Sequence, residues 1–317
     1  MNQAEKSPVS IVIPNYNGEA LLAKNIPAVI ASLEHYSGGG EIVVVDDGSS
    51  DNSIEVLEKQ FPTVRCIAHN KNQGFSEAVK TGIDSSNNEL IFLLNSDVIP
   101  AIDCIAPLVE RLSDNVFSVS PLILEEDGTA SDYSCNLRRL KKGKFKAVNT
   151  TDIVHNKKTC YHLYSSGGSM LLKKSYFQKL GGFCDIYKPY YFEDFDLSIR
   201  AWRHGWKTIF EPASQVVHPA GTTIRKLEDR KKIKTIFNRN QLLLYWVHLS
   251  GQQLWLVHIP WQLLRLVEDI LKIDKVRLRA FYNALTCLPE VWRLRKELSK
   301  QNLRSTESIV KELSTIT

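Results

Sequence analysis

The sequence predicts an α/β protein with a mostly parallel central sheet, helices on both faces of that sheet, and a helical C-terminal region. Over the first hundred residues, short apolar segments alternate with helix-length segments, the order of a right-handed, doubly wound sheet. Two of the short segments, around Val43–Val45 and Ile91–Leu94, are apolar without alternation, as strands covered on both faces are. After about residue 225 the pattern becomes helical only.

The individual elements follow from these patterns. Four compact segments rich in β-branched residues are predicted as strands: Ser10–Ile13, Ile42–Val45, Val64–Ile67 and Leu90–Leu94. The helices predicted between them are Glu19–Leu33, Asn52–Gln60 and Phe75–Asp84. From Pro121 to about Leu163 no element is predicted. There the six basic residues within 138–146 form either a solvated surface or a contact with phosphates. Further on, the sequence predicts a strand near 169–172, a helix over Asp196–His204 and strands near Thr208–Phe210 and Gln215–Val217.

Composition and charge narrow the class of protein. The chain has 317 residues, 43% hydrophobic and 24% charged, which is typical of a globular protein and excludes collagen-like or wholly disordered chains. Residues 221–317 hold 18 basic and 9 acidic residues, whereas residues 1–220 hold 22 and 26. A basic tail on a mildly acidic body indicates an anionic partner for the tail. Six scattered cysteines without a C-x-x-C pair indicate reduced thiols in a cytoplasmic protein.

The C-terminal tail has the pattern of an amphipathic helix. His258, Gln262, Arg265, Asp269 and Lys272 recur at helical spacing as a polar stripe, and tryptophan and leucine fill the remainder. A broad apolar face with tryptophan and excess basic charge is typical of a helix lying on an anionic membrane surface. The alternatives are that this helix packs on its own domain or on a homodimer partner. The N-terminal residues lack the pattern of a signal peptide, and the sequence has no uninterrupted apolar stretch of about 20 residues. Neither a signal peptide nor a membrane-spanning helix is therefore expected.

Polar side chains follow three of the predicted strands. Asn15 ends the first strand, Asp46 and Asp47 end the second, and Asp97 follows the fourth. Because the carboxyl ends of parallel strands share one edge, where ligands bind, these four side chains should converge. Mg²⁺ or Mn²⁺ prefers carboxylate oxygens and bridges to a substrate diphosphate, and Asp97 is the best candidate ligand. Asp46 and Asp47 have a second interpretation as turn and helix-capping residues.

A second acidic cluster lies among aromatic residues. Glu193, Asp194 and Asp196 begin a predicted helix just after Tyr190-Tyr191-Phe192. Acids at a helix N-terminus are electrostatically favourable, so helix stabilisation is one interpretation. Desolvation by the aromatic rings would raise a carboxylate pKa and suit a general base, which is the other. His218, at the end of a predicted strand, is either structural or a metal ligand.

Eight segments, in this order, resemble the family-2 glycosyltransferases of GT-A fold. They are IVIPNYNG at 11–18, EIVVVDDGSSDNS at 41–53, NQGFSEAVKTGI at 72–83, LLNSDVIP at 93–100, SSGGSMLL at 165–172, LGGFCDIY at 180–187, YYFEDFDLSIRAWRHGW at 190–206 and VVHPAG at 216–221. The later segments are most similar to the rhamnosyltransferase-type bacterial branch. The resemblance covers roughly the first 220 residues, so we expect a GT-A nucleotide-sugar-binding catalytic domain over 1–225 and an amphipathic helical region over 226–317.

The resemblance implies a role for each matched position. The residues that it implies for nucleotide binding are Pro14, Asn15, Asp46, Asp47, Lys80 and Ser96. Asp97 and His218 would hold the metal, Mg²⁺ or Mn²⁺. Asp194, beside Glu193, would be the catalytic base. The acceptor or donor sugar would lie at Gly167, Gly168 and Asp196.

The predicted function is therefore that of an inverting, metal-dependent glycosyltransferase. It would move one sugar from a nucleotide-diphospho-sugar to a hydroxyl of a lipid-linked glycan acceptor, in the synthesis of cell-surface polysaccharide. We expect a cytoplasmic protein, peripheral on the inner face of the cell membrane, with no nucleic-acid partner. The alternatives are a sugar-nucleotidyltransferase and a non-catalytic homologue that binds a nucleotide-sugar. Lys80 stands where the family often has Asn, and Phe237-Asn238-Arg239-Asn240 replaces the Q-x-x-R-W signature of processive enzymes, which indicates single addition.

Overall fold

The computed structural model describes residues 7–219, 229–301 and 303–315. Its strands are β1 (Val9–Asn15), β2 (Gly40–Asp46), β3 (Arg65–Ala68), β4 (Leu90–Leu94), β5 (Ile99–Pro100), β6 (Val116–Leu124), β7 (Arg138–Lys141), β8 (Lys144–Ala147), β9 (Cys160–His162), β10 (Ser169–Lys173) and β11 (Lys207–Val217). Its helices are α1 (Glu19–His35), α2 (Ser53–Gln60), α3 (Phe75–Ser85), α4 (Ile105–Glu110), α5 (Thr151–His155), α6 (Lys174–Lys179), α7 (Glu193–Arg203), α8 (Arg230–His248), α9 (Ile259–Leu271), α10 (Lys275–Leu285), α11 (Leu288–Lys300) and α12 (Thr306–Thr315). A 3₁₀ turn covers Asp185–Tyr187, and a π-helical turn at Gln253–His258 leads directly into α9.

The central sheet has the strand order β3-β2-β1-β4-β10-β6-β11-β5, with β9 beside β11. The pairs β1–β2, β1–β4, β2–β3 and β6–β11 are parallel. Strand β10 is antiparallel to both β4 and β6, so β4 and β6 run in the same direction. The carboxyl ends of β1, β2, β4 and β11 therefore lie at one edge of the sheet, together with the start of β10.

The predicted mixed α/β architecture with a mostly parallel sheet is confirmed. The predicted strands and helices of the first hundred residues lie within about two residues of the observed ones, because each has a clear local pattern. The segment from Pro121 to Leu163 does contain strands, and the basic stretch within it forms the β7–β8 hairpin. The two strands predicted over 208–217 are one strand, β11, whose pairing with β6 shifts in register between Glu211 and Gln215.

The C-terminal helical region is also confirmed, and it packs on the sheet domain. Leu243, Leu244 and Trp246 of α8 share a buried cluster with Phe195 and Trp202 of α7. Burying this apolar surface is the main force that holds α8 in place. The predicted boundary between residues 225 and 226 lies outside the described residues. Among the helices that the structure describes, none is both long enough and apolar enough to span a bilayer.

Candidate active site

The turn after β2 is organised by Asp46. Asn15 Nδ2, from the end of β1, donates a hydrogen bond of 2.9 Å to Asp46 Oδ2. The backbone N–H of Ser49 donates to Asp46 Oδ1 at 2.9 Å, and the Ser49 hydroxyl donates to Oδ2 at 2.6 Å. Asp46 is completely buried. Its carboxylate therefore fixes the position of Asn15 and the turn, in line with the turn interpretation of this residue.

Asp47 holds a second loop against the same edge. His69 Nδ1 lies 2.7 Å from Asp47 Oδ1, and the backbone N–H of Gln73 donates to that oxygen at 2.9 Å. The N–H of Gly74 donates to Asp47 Oδ2 at 2.7 Å. A carboxylate oxygen accepts more than one hydrogen bond, so Oδ2 keeps acceptor capacity for a ligand. Asp47 thus shapes the loop that precedes α3, in addition to the role in nucleotide binding that the resemblance implies.

The remaining residues implied in nucleotide binding, Pro14, Ser96 and Lys80, lie in different parts of the sheet domain. Pro14 is paired with Val45 one position before the edge of the sheet. Asn25 of α1 donates from Nδ2 to the backbone oxygen of Ser96 at 2.8 Å, which places Ser96 beside the start of α1. Lys80 lies on the exposed side of α3, with its side chain in solvent.

Asp97 and His218 meet at the carboxyl ends of β4 and β11. Asp97 Oδ1 and His218 Nε2 are 3.4 Å apart, although 120 residues separate them in sequence. The pairing of β5 with β11, Ile99 opposite Val217, brings the two side chains together. Although burial opposes it, the Asp97 carboxylate raises the pKa of His218. A carboxylate oxygen beside an imidazole nitrogen is a donor pair suited to a divalent ion.

Asp194 is held at the same edge by the segment that precedes β10. The backbone N–H of Gly167 donates to Asp194 Oδ2 at 2.9 Å, and the N–H of Asn95 donates to the oxygen of Gly168 at 2.9 Å. A Cβ atom at Gly167 would lie 3.3 Å from Asp194 Cβ, and one at Gly168 would lie 3.0 Å from Asn95 Nδ2. Because Asp97 follows Asn95 by two residues, the two glycines connect the Asp97–His218 pair to Asp194.

Glu193 and Asp194 are neighbours with different surroundings. Burial raises the pKa of both carboxyl groups. Two backbone N–H groups, those of Gly167 and Phe195, donate to Asp194 and stabilise its charged form. Glu193 Oε2 is buried without a hydrogen-bond partner, and the charge of Asp194 raises the Glu193 pKa further. The pair is therefore expected to share one proton, with Glu193 protonated and Asp194 ionised and partly exposed.

Asp196 lies in the protein interior and does not face the site. Arg200 Nε donates to Asp196 Oδ2 at 2.7 Å, and His248 Nε2 lies 2.7 Å from Oδ1. Despite burial, these two partners lower the pKa of Asp196 to about 2. With both oxygens taken and 1% of the residue exposed, Asp196 ties α7 to α8. This arrangement leaves no room for the sugar contact that the resemblance implies.

The loop before Glu193 has an unusual backbone held by α8. Tyr191 and Phe192 have φ of 75° and 77°, a left-handed conformation that is costly for large side chains. The side-chain nitrogen of Asn240 lies 2.6, 2.9 and 2.9 Å from the backbone oxygens of Tyr187, Tyr190 and Tyr191. Asn240 is completely buried. It therefore holds in place the strained turn that presents Asp194.

The sequence model of glycosyl transferase family 2 matches residues 10–181, more than half of the chain. The chain belongs to glycosyl transferase family 2. Two relatives are both named undecaprenyl-phosphate 4-deoxy-4-formamido-L-arabinose transferase. The one from Edwardsiella ictaluri is 31% identical over 165 residues, covering 44% of this chain and 51% of the relative. The one from Pseudomonas aeruginosa is 33% identical over 165 residues, with 44% and 49% covered. This family-2 chain thus spans about half the length of these relatives.

Solved structures show the same fold. A crystal structure of GalNAc-T7 with UDP, GalNAc and Mn²⁺ matches with a TM-score of 0.60 at 20% identity, covering 77% of this chain and 48% of that one. The mannosyltransferase PcManGT from Pyrobaculum calidifontis, in complex with GDP-Man and Mn²⁺, matches with a TM-score of 0.54 at 14% identity, covering 98% and 85%. The expected GT-A fold of this family-2 member is confirmed.

Sequence reasoning missed the residues that support the site from a distance. Asn95, His69 and Asn240 position the glycine pair, Asp47 and the loop before Glu193, respectively. Their partners are backbone groups or side chains 22 to 73 residues away, and no local pattern marks such contacts. The segment around Asn240 did stand out as a departure from the processive signature, and that departure was the available signal.

Proposed function

We propose that this family-2 chain transfers one sugar from a nucleotide-diphospho-sugar to a hydroxyl of a lipid-linked glycan acceptor, with inversion at the anomeric carbon. The observation that carries the proposal is the contact between Asp97 and His218 at the edge of the sheet where Gly167, just before β10, donates a hydrogen bond to Asp194. In a metal-dependent inverting transfer, a general base activates the acceptor hydroxyl and a divalent ion stabilises the departing diphosphate. The names of the relatives, which contain undecaprenyl phosphate, support a lipid-linked acceptor.

In this mechanism Asp194 accepts the proton of the acceptor hydroxyl. The acceptor oxygen then forms a bond to the anomeric carbon while the bond from that carbon to the diphosphate oxygen breaks on the opposite face. Configuration inverts, and no covalent enzyme intermediate is needed. The N–H groups of Gly167 and Phe195 orient the Asp194 carboxylate. Because Glu193 is protonated in this mechanism, no second negative charge lies beside the Asp194 carboxylate.

Asp97 and His218 would hold a divalent ion, Mg²⁺ or Mn²⁺. Among the described residues no group of three or more His, Cys, Asp or Glu side chains is arranged to hold a metal ion, so the described part of the chain would offer this pair, with the diphosphate and water as further ligands. That donor set fits ions that keep water and substrate phosphates among their ligands. When bound, the ion neutralises charge on the departing diphosphate.

The relatives' names suggest a second acceptor, a polyprenyl phosphate. A phosphate oxygen is already ionised near neutral pH and needs no general base. The structure holds Asp194 in place with two backbone N–H groups, which favours the hydroxyl acceptor. We keep the rhamnosyltransferase-like branch, peripheral attachment to the inner face of the cell membrane and a role in cell-surface polysaccharide synthesis as parts of the proposal.

The proposal is tested by donor turnover. Thermal-shift measurements with the diphosphates of uridine, thymidine and guanosine, each with and without Mn²⁺, identify the base. The matching nucleotide-sugars are then incubated with the enzyme, and the anomeric form of the released or transferred sugar is followed by NMR. We expect the inverted anomer as the first product. Retained configuration contradicts the mechanism. A thermal shift without any turnover favours the non-catalytic homologue, and turnover of a nucleoside triphosphate with a sugar phosphate favours the nucleotidyltransferase.

A further inference from the structure

Helix α9 is attached to the protein by its polar side. Gln262 and Asp269 are its buried residues, whereas five apolar side chains point outward. These five, the apolar face, are Leu263, Leu264, Val267, Ile270 and Leu271. They are between 54% and 79% exposed, and their spacing places them on one side of a helix with 3.6 residues per turn. A surface helix of a globular protein ordinarily packs its apolar side against the core and exposes its polar side. Because α9 does the opposite, its apolar face is available to a partner.

Specific contacts fix this orientation. Asp269 Oδ1 pairs with Arg277 Nη1 of α10 at 3.1 Å. His258, immediately before α9, donates from Nδ1 to the backbone oxygen of Gly143 at 2.8 Å, in the turn between β7 and β8. Gly143 has a φ of 63°, and a Cβ atom there would lie 2.8 Å from His258. The polar stripe thus binds α9 to α10 and to the hairpin, and rotating the helix to bury its apolar face would break these contacts.

The β7–β8 hairpin adds positive charge beside this face. Lys142 Nζ, at the hairpin turn, lies 4.0 Å from the centre of the Trp261 ring, a cation–π contact. The hairpin contains six basic residues and no acidic residue between Arg138 and Ala147. Tryptophan beside exposed leucines and lysines is the pattern of a helix lying in the interface of an anionic bilayer.

Charge complementarity favours lipid over a second copy of the chain. The two acidic residues of α9 already form ion pairs within the chain. Glu268 pairs with Lys272 at 2.5 Å, and Asp269 pairs with Arg277. A second copy docking on this face would therefore offer little negative charge to the hairpin. Helix α9 has 13 residues and is therefore about 20 Å long. A membrane-spanning helix needs roughly 20 residues, or about 30 Å, so α9 is too short to cross a bilayer. An orientation parallel to the membrane plane follows.

We propose that the apolar face of α9 and the β7–β8 hairpin together bind an anionic phospholipid surface. The inference deepens the proposed function, on which it rests, because it identifies the surface where a lipid-linked acceptor would be met. It also assigns the basic stretch at 138–146 to lipid headgroup phosphates and not to the donor diphosphate. The exposed residues of the apolar face would enter the headgroup boundary. The exposed basic residues of the hairpin would lie at the level of the phosphates: Arg139, Lys141, Lys142 and Lys146.

The test is co-sedimentation of the full chain with vesicles of phosphatidylcholine alone or of phosphatidylcholine mixed with phosphatidylglycerol. The face variant carries Leu264→Glu and Val267→Glu. Ile102→Glu is the matched control, because Ile102 is 58% exposed and lies outside the helical tail. We expect binding to the mixed vesicles that weakens with salt, and a loss of at least about tenfold in the face variant. Lys142→Glu should reduce binding to the mixed vesicles only, and Ile102→Glu should leave it unchanged.

Three results would overturn the inference. The first is that the wild-type chain does not bind mixed vesicles. The second is that the face variant binds them as well as the Ile102→Glu control does. The third is that the face variant changes only the oligomeric state, from dimer to monomer. The thermal shift produced by nucleoside diphosphate and Mn²⁺ is measured on the same samples. If that shift persists while vesicle binding is absent, the docking surface is wrong and the proposed function stands. If the shift is absent while vesicle binding persists, the proposed function fails by itself.

Discussion

At the scale of single residues, the site depends on how two adjacent carboxyl groups differ. Asp194 receives two backbone hydrogen bonds, and Glu193 has a buried oxygen without any. The environment thus separates two groups that are chemically alike, which is how proteins assign acid and base roles. Asp196, two residues later, is buried and paired with Arg200 and His248, so its carboxylate does not face the site. Three acids within four residues therefore have three different environments.

Substitution of the two acids tests this division. Asp194→Asn removes the base and should lower kcat by about 10²- to 10⁴-fold, with nucleoside diphosphate binding intact. Glu193→Gln replaces a protonated acid by a neutral side chain of the same shape and should keep kcat within about tenfold of wild type. Steady-state kinetics of both variants measure the difference. A larger loss in Glu193→Gln than in Asp194→Asn would exchange the two roles.

The raised pKa of Glu193 also predicts a pH-dependent stability. The folded chain keeps this proton at pH values where the unfolded chain, with a glutamate pKa of about 4.3, has lost it. Stability therefore falls as pH rises from that value towards the raised one. Because Gln cannot ionise, Glu193→Gln should have a higher Tm than wild type at about pH 7.5, by roughly 2–4 °C per kcal/mol. Near about pH 4 the two melting curves should coincide; a constant difference at both pH values would assign the gain to packing.

At the scale of elements, the C-terminal helices both support the site and extend away from it. Helix α8 reaches the loop before Glu193 through Asn240, whose side chain contacts three backbone oxygens of that loop. Helix α9 turns its polar side inward and its apolar face outward. The sequence predicted the polar stripe of α9 because it depends only on spacing. It could not predict that His258, Gln262 and Asp269 of this stripe are buried. Their burial depends on contacts with Gly143 and Arg277, which lie on other elements.

Asn240→Ala tests the support from α8. Without the amide, the left-handed turn at Tyr191 and Phe192 should relax and displace Asp194. We expect a kcat about 10- to 100-fold lower with the KM for the donor unchanged, measured well below the Tm of the variant. Gln241→Ala, on the same helix, is the control and should keep both values. A lower Tm with normal kcat would restrict Asn240 to a structural role.

At the scale of the whole molecule, the sheet explains why so much of the site was predictable. Asn15, Asp46 and Asp97 each follow a strand with a clear local pattern, and parallel strands bring their carboxyl ends to one edge. The sequence pattern also placed His218 at the end of a strand, but only the resemblance favoured a metal ligand over a structural histidine there. The strands β6 and β9 stayed unpredicted, since β6 pairs with β10 and β11, and β9 pairs with β11. The paired residues lie 46 or more positions further along the chain. Non-local pairing leaves no mark in a window of neighbouring residues.

The central claim is that Asp97 and His218 hold a divalent ion against the donor diphosphate. Titration calorimetry of the matching nucleoside diphosphate, with and without Mn²⁺, tests it on wild type, Asp97→Ala, His218→Ala and Asp194→Asn. We predict that Mn²⁺ tightens binding at least about tenfold in wild type and Asp194→Asn, and that this gain disappears in Asp97→Ala and His218→Ala. An undiminished Mn²⁺ effect in Asp97→Ala would contradict the account.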